Sequence, residues 1–126
     1  MVKLASGDMI RFDINSRGKS VLQVIGRDDV PQIEKEGCGW NDGDTVVLTG
    51  SELALFLHRL WEASPSTRCV AAGGSGSSKL LVSTRTDELG GTVFVLETDV
   101  NTIHMKAYER DMLMSAIKSQ VWRLFT

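Results

Sequence analysis

Two stretches of this chain share one pattern, and that repetition restricts its fold more than any single motif. DMIRFDINSRGKSVLQVIGRDD runs from Asp8 to Asp29, and KLLVSTRTDELGGTVFVLETDVN from Lys79 to Asn101. Each holds an alternating run, a charged turn containing glycine, and a second alternating run, which is the pattern of a β-hairpin. The hairpins align at an offset of 71 to 72, with Gly18 against Gly90. The segments after the hairpins also align. Val46, Leu48, Glu52, Leu55, Phe56 and Leu60 fall 57 positions before Ile103, Met105, Glu109, Met112, Leu113 and Ile117. The change of offset places a longer third connection in the first half. The period is too long for a solenoid, so residues 1–126 read as one domain of two halves, about 1–64 and 65–126.

The elements can be read from local pattern. Met9 to Asn15 sets Ile10, Phe12 and Ile14 on one face and Arg11 and Asp13 on the other, and NSRGK is a turn. Val21 to Ile25 is apolar on both faces apart from Gln23. A short edge strand is expected near Gln32 to Gly37, then a strand over Thr45 to Leu48. TGSELALFLHRLWEA is a helix capped by Thr49 or Ser51, with Leu53, Phe56, Leu57 and Leu60 on its apolar stripe. In the second half, Thr67 to Ala71, Leu80 to Arg85, Thr92 to Glu97 and Thr102 to Ala107 are strands, and GGSGSS is a flexible loop. A helix over Glu109 to Leu124 presents Met112, Leu113, Ala116, Ile117, Val121 and Leu124. The expected fold is α+β: two β-β-β-β-α repeats whose antiparallel sheets carry both helices on one side.

Composition narrows the class. Fourteen Lys and Arg oppose 16 Asp and Glu, a formal net charge of -2, which argues against a strongly basic polyanion binder but allows basic residues gathered on one face. Cys38 and Cys69 are too few for a disulfide framework and fit free thiols in a reducing, intracellular compartment. No apolar run approaches a membrane span, and MVKLASGD has no apolar signal core.

The runs GKSVLQVIGRDD, DTVVLTGSELALFLHRLWEA and GGTVFVLETDVNTIHMKAYERDMLMSAIKSQV resemble, as a pattern, the repeat of the Whirly, Pur-alpha and positive-cofactor-four group of single-strand binding proteins. In that group a curved four-stranded sheet is followed by a helix entered through a short polar cap, as in VVLTGSEL. The lysine-rich KGKAAL stretch of plant Whirly proteins and a strongly basic hairpin are absent here. The resemblance implies binding of single-stranded DNA or RNA on the open sheet face, without catalysis, and a homo-oligomer.

Single-strand binding needs cations along the phosphates and flat side chains for the bases. The candidates are Arg11, Arg17, Lys19, Arg27, Lys79, Arg85 and Lys106, with Trp40, His104 and Tyr108 as stackers. His104, Lys106 and Tyr108 are expected on one strand face, opposite Ile103, Met105 and Ala107. Phe12 and Phe94 lie among aliphatic residues and read as core. Trp61 and Trp122, each near the end of a helix, read as core or interface, and the C-terminal VWRLF as an interface strip.

Other chemistries find little support. AAGGSGSSK lacks the Gly-Lys-Ser/Thr ending of a phosphate loop. His58 and His104 are far apart, Cys38 and Cys69 lack metal spacing, and DGD at Asp42 to Asp44 is too short for a calcium loop. No nucleophile stands near a base, so no enzyme, cofactor, metal or small-molecule substrate is expected. The competing reading is a small α+β protein-interaction module, such as an adaptor, an immunity protein or an assembly subunit. If Arg11, Lys79, Arg85 and Lys106 form one stripe, nucleic acid is favoured; acids interrupting it favour a protein partner.

Overall fold

The computed structural model describes residues 1–15, 17–31, 44–74 and 76–122, with Trp122 described by its backbone alone. A short strand, β1 (Val2–Lys3), precedes the first alternating run. That run is β2 (Met9–Ile14); β3 (Ser20–Ile25) comes after the glycine turn, and β4 (Asp44–Leu48) leads into helix α1 (Gly50–Glu62). The second half gives β5 (Arg68–Ala71), β6 (Leu80–Thr86), β7 (Thr92–Glu97), β8 (Thr102–Lys106) and α2 (Ala107–Trp122). The strands form two antiparallel sheets in sequential order, β1-β2-β3-β4 and β5-β6-β7-β8. The fold is therefore α+β, built from two β-β-β-β-α units.

The repetition extends to individual hydrogen bonds. The Asn15 amide donates to the Lys19 carbonyl and the Gly18 amide to the Asn15 carbonyl, while Asn15 Oδ1 accepts from the amides of Arg17 and Lys19. Seventy-two residues later Asp87, Leu89, Gly90 and Gly91 make the same four bonds. Gly18 and Gly90 hold φ of 76° and 81°, left-handed values that favour glycine. The helix entries also correspond. Thr49 and Glu52 form a reciprocal capping box at α1. At the equivalent position of α2, Glu109 Oε1 accepts from the Lys106 amide at 2.9 Å, and Oε2 accepts from the Ala5 amide at 2.8 Å.

Each helix packs beyond its own unit. α1 lies on β5 and β6 as well as β4, and α2 lies on β1 and β2 as well as β7 and β8. One continuous core results. It joins Leu53, Phe56 and Leu60 of α1 and Leu113, Met114 and Ile117 of α2 to the inner faces of both sheets. Phe12 and Phe94 belong to it, as their aliphatic neighbours indicated. The two units also meet at equivalent positions, since Asn101 lies 57 residues after Asp44. Asn101 Nδ2 donates to the buried Asp44 carboxylate at 3.3 Å, and the Thr98 hydroxyl donates to the same oxygen. Arg110 ties the helices together, donating from Nη1 to the Leu60 carbonyl at 2.8 Å with its guanidinium 4.7 Å from the Phe94 ring centroid.

Several sequence expectations are corrected. β1 has no counterpart in the sequence pattern, although Val2 and Leu4 are buried in the core. The edge strand expected near Gln32 to Gly37 falls outside the described residues, and β3 pairs directly with β4 from Ser20↔Leu48 to Val24↔Asp44. α2 begins at Ala107 rather than Glu109, and Met112, expected on its apolar stripe, is 50% exposed. Trp61 is 71% exposed and so is not core. Cys38, the side chain of Trp122 and Leu124 lie outside what is described. The glycine-rich stretch is not a loose linker: Gly74 and Ser77 bond each other's backbones, the Ser78 amide donates to the Thr45 carbonyl, and the Val47 amide donates to Ser77 Oγ. It thus occupies the outer edge of β4, where an unpaired strand would otherwise offer its backbone to other chains.

Candidate nucleic-acid interface

Both sheets turn their inner faces to the shared core, so any binding surface built on strands must use an outer face. The register fixes which residues those are, because directly paired residues share a face and alternate residues along a strand do too. On the first sheet the outer rows are Met9–Ile25, Arg11–Gln23–Thr45 and Asp13–Val21–Val47. Met9, Val21, Gln23 and Ile25 are all buried and Arg11 is half-buried, so this face is largely closed. The all-buried β3 matches its apolar sequence on both sides.

The second sheet differs. Its outer rows are Arg85–Val93–Lys106, then Ser83–Val95–His104, then Cys69–Leu81–Glu97–Thr102. Arg85, His104, Lys106, Thr102 and Cys69 are exposed, Ser83, Val95, Leu81 and Glu97 half-buried, and Val93 forms a buried floor. Arg85 and Lys106 stand on either side of β7, roughly 10 Å apart at their Cα atoms by strand spacing. His104 lies one row further along β8. Among the described residues, none of these three side chains is engaged in an ion pair or hydrogen bond. Asp87, two residues after Arg85, turns its carboxylate into its own loop, accepting from the Leu89 and Gly91 amides.

The structure thus brings together three of the ten sequence candidates, Arg85, His104 and Lys106. The others lie elsewhere. Arg11 belongs to the closed face of the first sheet. Arg17 and Lys19 project from the β2–β3 turn, and Arg27 lies just beyond β3, its amide held by Asp8 Oδ1 at 2.8 Å. Lys79 precedes β6 at the end of the face away from Arg85, its amide directed at Asp99 Oδ2. Tyr108 is exposed but not on the strand face, because β8 ends at Lys106 and the helix rotates Tyr108 out of the alternation. Trp40 lies outside the described residues. Arg11, Lys79, Arg85 and Lys106 therefore do not form one stripe, and Glu97 shares the face with Arg85 and Lys106.

Sequence reasoning missed the floor, Val93 and Val95, and the far row, Glu97 and Thr102. Alternation along β7 contained the signal, but it needed the β6–β7 register to set those residues beside Arg85. Elsewhere the helices carry paired charges. Arg110 bonds Asp111, and Arg59 bonds Glu62, holding that carboxyl below the ordinary carboxylate range. Among the described residues, no three His, Cys, Asp or Glu side chains gather in a metal-binding cluster, and no helix is long and apolar enough to cross a membrane. No protein-family model, curated protein or solved structure matches this chain.

Proposed function

We propose that this protein binds single-stranded nucleic acid, DNA or RNA, on the outer face of its second sheet, by phosphate neutralisation and without catalysis. The observation that carries the reading is the gathering of Arg85, His104 and Lys106, without intramolecular partners among the described residues, on an exposed face whose floor is Val93 and Val95. The resemblance of the sequence pattern to the Whirly and Pur-alpha group points the same way. The footprint is small. Two permanent cations and one flat ring support micromolar binding at low salt, with little sequence-independent stacking beyond His104 and the Arg85 guanidinium plane.

Fluorescence anisotropy with labelled single-stranded DNA and RNA over a salt series tests this. A slope of log affinity against log salt of about -1.4 is expected for two phosphates neutralised on a single strand. The Arg85→Ala, Lys106→Ala double variant is expected to bring that slope near zero and to reduce binding by about tenfold or more. Absence of binding at low salt, or an unchanged slope in the double variant, sinks the reading.

Two observations favour a second reading, a protein-interaction module. Arg11, Lys79, Arg85 and Lys106 do not form one stripe, and the acid Glu97 shares the face of Arg85 and Lys106, the arrangement expected for a protein partner. Trp61 is 71% exposed near the end of α1, and Tyr108 and Met112 are exposed on α2. Large apolar side chains in solvent mark association surfaces when they gather in a patch. Self-association through the helical side is expected to give a dimer mass by light scattering that Trp61→Arg reduces to that of one chain. A single-chain mass for the unaltered protein at high concentration counts against homo-oligomerisation.

A further inference from the structure

The outer face of the second sheet is polarised along its strands. Arg85 and Lys106 occupy the row at Val93, and Glu97 and Thr102 the row four residues further along β7, roughly 13 Å away. Between them lie Val95 and His104. The Glu97 side chain is half-buried and, among the described residues, has no hydrogen-bond or ion-pair partner, Lys79 at that end of the face included. A carboxylate here repels phosphate, so a strand lying on this face keeps its backbone over the Arg85–Lys106 row and extends its bases toward Glu97.

We infer, on the basis of the proposed single-strand binding, that Glu97 is a specificity-determining residue: its carboxylate accepts hydrogen bonds from exocyclic amino groups, so the face prefers cytosine and adenine over thymine and uracil. The chemistry is one-sided. An ionised carboxylate accepts hydrogen bonds and donates none. Cytosine N4 and adenine N6 are donors, whereas thymine and uracil present at the corresponding position a carbonyl oxygen, acceptor to acceptor with the carboxylate, and donate only through the ring N3–H beside it. Thr102, paired directly with Glu97, carries a hydroxyl that donates or accepts and so does not oppose the selection. His104 and Val95 support the base plane between the two rows.

The test compares labelled oligocytidylate, oligoadenylate and oligothymidylate of about 12 nucleotides, for the unaltered protein and for Glu97→Gln, at one salt concentration. Glutamine preserves the shape and can both donate and accept. The unaltered protein is expected to bind oligocytidylate and oligoadenylate about tenfold more tightly than oligothymidylate. In Glu97→Gln the ratio is expected to fall toward one, while affinity for all three strands rises through the lost negative charge. The ratio is the informative readout, because a purely electrostatic or structural role for Glu97 shifts all three strands together. Equal binding of the three strands by the unaltered protein, or a ratio unchanged in Glu97→Gln with native circular dichroism, overturns the inference and leaves single-strand binding standing. Failure to bind any of the strands overturns both.

Discussion

Glu109→Ala is expected to lower stability by about 3 kcal/mol, and Glu52→Ala, the equivalent substitution in the first unit, by about 1 kcal/mol. The two residues have the same place at the head of their helices, yet their surroundings differ. Glu52 is half-buried and accepts from the Thr49 amide within its own capping box, and solvent can replace that bond. Glu109 is 3% exposed and satisfies two amides at once, those of Lys106 and Ala5. Alanine there leaves both amides without their side-chain acceptor in a partly buried site, and releases the β1–β2 turn from α2. Removing one partner of a buried polar group costs more than the bond contributed when made. Urea unfolding of both variants measures the difference. Equal losses at the two positions would show that the Ala5 contact adds nothing to the ordinary cap.

Most of the fold could be read in the sequence because its signals are local. The turn Asn15–Lys19 and its counterpart Asp87–Gly91 use a side-chain acceptor and a left-handed glycine, both visible in a few residues. The capping box and the buried stripe of α1 are equally local. The features that stayed hidden depend on distant parts of the chain. β1 is two residues long and is held by pairing with β2, with no periodicity of its own. Trp61 and Met112 are apolar at helical spacing, and only the packing of each helix on the other unit's sheet leaves them outside the core. The glycine-rich stretch reads as a linker because nothing in its composition announces the β4 edge it covers. The binding face was half legible for the same reason. Alternation identified His104 and Lys106 as outward, but only the strand register sets Arg85 beside Lys106 and adds Glu97 to the same surface.

Cross-packing of the helices has its largest consequence for the separated halves. Residues 1–64 and 65–126, produced as individual chains, are each expected to be unfolded, and to regain the native spectrum when mixed. A half without its counterpart keeps its sheet-forming strands but loses much of the surface on which its helix rests, since α1 packs on β5 and β6 besides β4, and α2 on β1 and β2 besides β7 and β8. Exposing Leu53, Phe56 and Leu60 at about 2 kcal/mol each forfeits about 6 kcal/mol, comparable to the whole stability of an ordinary domain. A chain of about 60 residues already buries a smaller fraction of its surface and has no margin to absorb that loss. The tie between Glu109 and Ala5, and that between Asn101 and Asp44, are lost as well, leaving buried polar groups without partners. Circular dichroism and amide dispersion of each half alone and of the equimolar mixture decide the matter. A cooperative thermal transition in either half alone would mean that each unit carries its own core, and that the exchange of helices comes after folding without being needed for it.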